Sequence, residues 1–248
     1  MRVDVFFGPH SLTHTEITSR VVVIVDVLRA STTIAVALAN GAKCVIPLES
    51  SDAVVTRAKA FERADVRMAG ERKMLPIAGF DLGNSPREYT PEAVEGKTVI
   101  MTTTNGTSAI AASQGARDVI IGSYVNFSAV STMLRTALRG DTDVAIVCAG
   151  REHQFALEDA GCAGRYVYSV TKQMSNIDMN DAAQACVLLD RKFADSVLRL
   201  FEASEHGRAL QAAGFGDDLA ACAEIDAYPI IPVYQDRQIT KLGPNRER

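Results

Sequence analysis

Continuous β-branched runs alternate along this chain with alanine-rich stretches of helical composition. Val21 to Val25 contains no polar residue, which suits a strand buried on both faces of a parallel sheet better than a half-exposed one. Asp26 ends the run. Ser31 is placed to cap a helix over Thr32 to Asn40, and Gly41 stands where a left-handed cap is expected. Strand Lys43 to Leu48, helix Asp52 to Arg63, strands Val66 to Ala69 and Thr98 to Thr102, helix Thr107 to Ser113, strand Asp118 to Gly122, helix Ser128 to Leu138 and strand Val144 to Cys148 follow in turn. This order predicts an α/β fold with three layers, α/β/α, around a mostly parallel sheet.

Beyond Cys148 a polar loop carries Arg151, Glu152 and His153, helix resumes from Glu158, and a longer helical pattern covers Asp181 to Ala203. The C-terminal third is therefore expected to be mainly helical. Tyr228 to Val233 reads as a late strand, whose prolines put it at a sheet edge or near the strand ends. Pro244 to Arg248 is expected to fray. Superposing the segment around Thr33 on that around Thr107 matches Ala35 with Ala109, Ala37 with Ala111, Gly41-Ala42 with Gly115-Ala116 and Val45-Ile46 with Val119-Ile120. The likeness reads either as a duplicated βα unit or as two alanine-rich helices alike by chance. No linker composition divides the chain, so residues 1–248 are read as one catalytic unit, with lobes of about 1–90 and 91–248 as its subdivision.

Composition narrows the partners. The 26 Lys and Arg against 30 Asp and Glu leave a net charge of −4, and no basic block could follow a phosphate backbone, so nucleic acid is not expected. No apolar run approaches the roughly 20 residues that cross a bilayer, and Met1-Arg2-Val3-Asp4 does not open a secretory signal, so a cytoplasmic protein without a membrane partner is expected. Cys44, Cys148, Cys162, Cys186 and Cys222 are scattered and read as reduced, packing thiols. The apolar side of Asp181 to Ala203 faces either the sheet or a second copy in a homo-oligomer.

Parallel sheets bind ligands beyond the carboxyl ends of their strands, and two such loops are unusually polar here. Asp26-Val27-Leu28-Arg29-Ala30-Ser31-Thr32-Thr33 combines a carboxylate, a guanidinium and three hydroxyls; Thr102-Thr103-Thr104-Asn105-Gly106-Thr107 offers hydroxyls, an amide and a glycine. On one sheet edge they would make an anion site, helix-start N–H groups adding to the hydroxyl donors. Neither the P-loop nor the dinucleotide glycine pattern is present. The third loop, Ala149 to Gly164, brings Arg151 and the adjacent Glu158 and Asp159, which with Asp26 would supply hard oxygen ligands of the kind magnesium takes beside a phosphate. Asn84 and Ser85, in Gly79 to Pro86, either cap a helix or point into the site, and Glu71-Arg72 lies upstream. A nucleophilic role for Cys148 lacks the basic residue that cysteine phosphatases place after it. His10 and His14, beside Pro9 and two threonines, are read as loop residues, His153 as a solvated loop residue, and His206 as part of a surface turn.

Four blocks in order, Val23 to Thr33, Gly79 to Pro86, Thr103 to Thr107, and Cys148-Ala149-Gly150 with Leu157-Glu158-Asp159 and Cys162-Ala163-Gly164, resemble the 2-phosphosulfolactate phosphatase family over nearly the whole chain. The resemblance implies a three-layer α/β/α fold and a magnesium-dependent acid phosphatase that converts 2-phospho-3-sulfolactate to sulfolactate and phosphate, a step towards coenzyme M. Two segments depart from it: Lys73-Met74 stand where small glycines are expected, and Arg151 to Gln154 match least. On this reading Asp26, Glu158 and Asp159 hold Mg2+ and, with Arg29, form the catalytic set. Arg151 and Arg29 grip acidic oxygens. Ser31, Thr32, Thr33, Asn84, Ser85, Thr104, Asn105 and Gly106 bind substrate. Two alternatives stay open: the same machinery acting on another small phosphorylated acid, and a non-catalytic anion-binding domain.

Overall fold

The computed structural model describes residues 1–152, 154–172, 174 and 176–243. Its strands are β1 (Arg2–Phe6), β2 (Val21–Val25), β3 (Cys44–Pro47), β4 (Val66–Arg72), β5 (Leu75–Pro76), β6 (Thr98–Thr102), β7 (Asp118–Gly122), β8 (Val144–Cys148), β9 (Asp178–Met179), β10 (Pro232–Gln235) and β11 (Gln238–Lys241). The helices are α1 (His14–Ile17), α2 (Ala30–Ala39), α3 (Ser51–Ala58), α4 (Pro91–Val94), α5 (Gly106–Ala112), α6 (Phe127–Arg139), α7 (Leu157–Thr171), α8 (Asp181–Phe193), α9 (Val197–Ala203), α10 (Glu205–Ala212) and α11 (Gly216–Ala223).

The strands form one mostly parallel sheet in the order β5-β4-β6-β3-β11-β10-β7-β2-β8-β1-β9. Every residue of β2, β6, β7 and β8 is buried. Alternate side chains therefore feed two cores. Val21, Val23, Val25, Val144 and Ile146 pack with α6 to α11 on one face, while Val22, Ile24, Ala145 and Val147 pack with α2 and α5 on the other. A third cluster sets Val54 of α3 against Cys44, Ile46 and Ile100. This is the three-layer α/β/α arrangement expected, with the C-terminal third helical.

Three local readings differ from expectation. The pattern over Asp181 to Ala203 breaks into α8 and α9, because Ser196 accepts the Arg199 N–H and caps a new helix that turns Val197, Leu200 and Phe201 into the core. The late strand, expected over Tyr228 to Val233, is β10 at Pro232–Gln235; it lies inside the sheet, paired with β7 and β11, and of the two places allowed for its prolines the strand end is the one found, Pro232 being its first residue. His14 starts a helical turn where a loop is expected, with a Thr13–Glu16 capping box.

The β10–β11 hairpin separates two parallel groups. Its turn, Asp236-Arg237, has φ of 53° and 61°, the paired positive values of a two-residue turn matched to sheet twist. Three successive antiparallel pairings, β7–β10, β10–β11 and β11–β3, separate β2 from β6. The two polar loops thus do not share one edge of neighbouring strands. Contacts between the loops themselves bring them together.

Candidate active site

The loops after β2, β4, β6 and β8 and the helix α10 enclose a cleft of about 260 Å3, lined by Asp26, Arg29, Glu71, Lys73, Asn84, Thr104, Arg151 and His206 among others. Asp26 follows the last residue of β2, so a strand buried along its whole length fixes its backbone. Its N–H donates to Ser31 Oγ at 2.8 Å, and among the described residues its carboxylate receives one backbone donor, Ala30 N–H at 3.4 Å. Gly106 permits this approach, since a Cβ there would lie 2.9 Å from Asp26 Oδ2 and 3.0 Å from Ala30 Cβ. Burial, reinforced by Glu71 and Glu158 and opposed by His206, pushes the Asp26 carboxyl up to about 6.

Asp159 sits deeper. Its Oδ1 accepts Val27 N–H at 2.9 Å and its Oδ2 accepts Gly150 N–H at 3.1 Å, so it ties the loop after β2 to the loop after β8 and lines no part of the cleft. Burial, with Asp26 and Glu158 nearby, pushes its carboxyl well above the ordinary range. Glu158 is equally buried and bonds His206 Nδ1 at 3.0 Å. Among the described residues no three His, Cys, Asp or Glu side chains group as a metal cluster. Of Asp26, Glu158 and Asp159, the first lines this cleft and the second the adjoining pocket, which shares Arg151, Glu152 and His206 with it, and magnesium commonly takes one or two carboxylates and keeps its waters. Asp26, with Glu158 from the adjoining pocket, would be the carboxylates to hold Mg2+, since both oxygens of Asp159 are taken by backbone N–H groups.

Arg29 is buried against the C-terminal helices. One guanidinium nitrogen donates to Asp218 Oδ2 at 2.6 Å, another to the Met74 carbonyl at 2.8 Å, and the Phe215 ring lies 4.4 Å away. Ser85 Oγ donates to the other oxygen of Asp218 at 2.6 Å. Asp218 thereby fastens two loops at once, and both partners of its ion pair are 2% exposed. Such a pair is costly to break, because the survivor is a buried charge.

The hydroxyls of the first loop are used internally. Ser31 receives the Asp26 N–H instead of capping the helix, which starts two residues earlier than expected, at Ala30, with no side-chain cap. Thr32 Oγ1 donates to the Val27 carbonyl at 3.0 Å, and Thr33 Oγ1 to the Asn84 carbonyl at 2.9 Å. None of the three lines the cleft. The second loop does reach it: Thr103, Thr104 and Asn105 are in its wall. Glu71 Oε1 accepts from both N–H and Oγ1 of Thr104 at 2.8 Å, and Asn105 Oδ1 accepts the Glu152 N–H at 3.1 Å. Asn84 Oδ1 is buried, and among the described residues it has no hydrogen-bond partner; Asn84 is in the wall. A buried polar atom left unpaired costs about 1–3 kcal/mol, which a bound donor would recover.

Two residues matter more than their sequence context implies. His206, expected in a surface turn, has a side chain only 13% exposed and faces the cleft from α10. Asp218 carries no local signature. His153 lies outside the described residues. Cys148 is buried and its thiol is pushed well up by burial, in keeping with packing.

A family description, 2-phosphosulpholactate phosphatase, matches residues 7–237. The chain belongs to this family. Relatives named "Probable 2-phosphosulfolactate phosphatase" include one from Symbiobacterium thermophilum, 40% identical over 92% of this chain and 96% of its own length. One from Caldanaerobacter subterraneus subsp. tengcongensis is 37% identical over 90% and 91%, and one from Pseudothermotoga lettingae is 36% identical over 98% and 100%. The family is one of phosphoric monoester hydrolases, and the carboxylates and donors of the cleft sit on the family's matched segment. The departure at Lys73-Met74 falls on two residues with left-handed φ, 50° and 71°. Glycine adopts that conformation freely, and other residues accept it at about 1–2 kcal/mol each.

Proposed function

We propose that this protein hydrolyses 2-phospho-3-sulfolactate to sulfolactate and phosphate with Mg2+ bound, acting in the cytoplasm on the route to coenzyme M. The observation that carries the reading is Asp26, a buried carboxylate with its pKa near 6 in the wall of a small cleft that also carries Arg29, Lys73, Arg151 and His206. A cleft of about 260 Å3 is smaller than the roughly 300–1,000 Å3 usual for drug-sized ligands, so it favours an ester of a few carbons.

Asp26 and Glu158 would hold Mg2+, and the metal when bound supplies charge neutralisation to the phosphoryl group. The protein's own residues position the rest. Arg151, only partly exposed and paired with the exposed Glu205, can exchange that partner for an acidic group of the substrate. Thr104 and Asn105 are held by Glu71 and Glu152 with their loop against the cleft, and Asn84 offers its amide oxygen as an acceptor for a bound donor. His206, oriented through Nδ1 by Glu158, is placed to pass a proton from its other nitrogen to the leaving alkoxide. Arg29 stays on Asp218 and holds the wall in shape.

Phosphate release from 2-phospho-3-sulfolactate, measured with magnesium and after chelation, tests the proposal. Metal-dependent release is expected. Release that survives chelation removes magnesium from it, and failure to release phosphate removes this substrate. The non-catalytic reading predicts anion binding without turnover under any metal; a buried carboxylate with an elevated pKa in one cleft with the His206 imidazole favours catalysis over it.

A further inference from the structure

β4 and β5 pair Glu71 with Pro76 and Arg72 with Leu75, which leaves Lys73 and Met74 as a two-residue hairpin turn. Both have positive φ, and in such turns asparagine followed by glycine fits without strain. Here two side chains are kept instead, at the one hairpin tip that forms part of the cleft wall. The tip is held on both sides: the Met74 N–H donates to Glu71 Oε2 at 2.8 Å, and its carbonyl accepts from Arg29. The other cationic groups of the wall each have an acidic partner: Arg29 has Asp218, Arg151 has Glu205, and His206 has Glu158. Lys73 has no ion-pair partner among the described residues, and Asp26, Glu71 and Glu152 leave the wall otherwise acidic.

Resting on the phosphatase reading above, we propose that Lys73 sets substrate choice: its ammonium pairs with a second acidic group on the carbon beside the phosphorylated one, a sulfonate or carboxylate. The hairpin tip delivers one uncompensated cation to the mouth of an acidic cleft. A lysine suits this place because a point charge on a long stem needs no fixed fork geometry. The phosphate would meet Asp26 and the loops, and the far acidic group would meet Lys73.

The test compares 2-phospho-3-sulfolactate with 2-phospholactate, which lacks only the sulfonate, in the magnesium-loaded full chain. The wild type should prefer the sulfonated ester, and Lys73→Met should narrow that preference in kcat/KM by about tenfold, a single charge-pair's worth. Lys73→Arg should restore most of it. Lys73→Asn with Met74→Gly keeps the turn geometry without the cation, so it should lose the preference while unfolding no earlier than the wild type. An unchanged preference in Lys73→Met, or a preference retained in the Asn-Gly variant, overturns the assignment. Calorimetric binding of sulfolactate against lactate gives a readout free of turnover. If neither ester is hydrolysed but sulfolactate binds more tightly and loses that advantage in Lys73→Met, the lysine assignment stands and the hydrolase reading falls. Equal loss of both ligands in the variant, or no loss of either, overturns it.

Discussion

Replacing Asp26 by asparagine should make the protein more stable and inactive, and the gain should depend on pH. The carboxyl titrates near 6 in the folded protein against an ordinary 3.8, because burial disfavours its charge. Two units at about 1.4 kcal/mol each give about 3 kcal/mol of folding free energy that the acid contributes when neutral and withdraws when ionised. The folded pKa is the raised one, so this contribution is complete below about pH 4 and is lost as pH climbs through 6. Asparagine keeps an acceptor for the Ala30 N–H and has nothing to ionise. Thermal unfolding of both proteins in chelator should therefore coincide near pH 4 and diverge by about 6–12 °C at pH 8, using about 2–4 °C per kcal/mol for a chain of this size. Titrating groups remote from Asp26 are common to both and cancel in the difference, while Asp159, whose carboxyl Asp26 helps to push up, adds to it. A gap of the same size at every pH, or no gap at pH 8, would refute the reasoning that burial sets this carboxyl.

Three further outcomes follow from contacts described above. Asp218→Ala should lose about 3–5 kcal/mol in urea unfolding, since it strands Arg29 in the interior and frees Ser85. Asp159→Asn should lower turnover while leaving magnesium affinity, followed by titration, near that of the wild type; Asp26→Asn should lower both, and equal effects would return Asp159 to the ligand set. Gly106→Ala pushes a Cβ against Asp26 and Ala30 and should lower kcat about 100-fold by displacing the carboxylate, with circular dichroism retained.

Strands β2, β6, β7 and β8 were legible to the residue because complete burial leaves a central run of apolar residues in each. Asp26 and the Thr103–Asn105 loop were legible by their place after such runs. Ser31, Thr32 and Thr33 show the limit of that logic: hydroxyls at a helix start point to an anion, but they are equally able to bond the backbone around them, and here they do. His206 and Asp218 left no trace because their partners, Glu158 and Arg29, are separated from them by long stretches of chain, and only the packing of α9 to α11 unites them. The break at Ser196 was hidden since apolar spacing continues across it.

The hairpin that joins the two parallel groups follows every other strand in sequence. During synthesis, β3 and β7 must therefore emerge with open edges and wait for the segment that covers both. Exposed strand edges invite pairing with other chains, and pairings between distant segments form slowly. The molecule carries its greatest risk of misassembly in that interval, so the middle of the finished sheet is its most vulnerable part during folding.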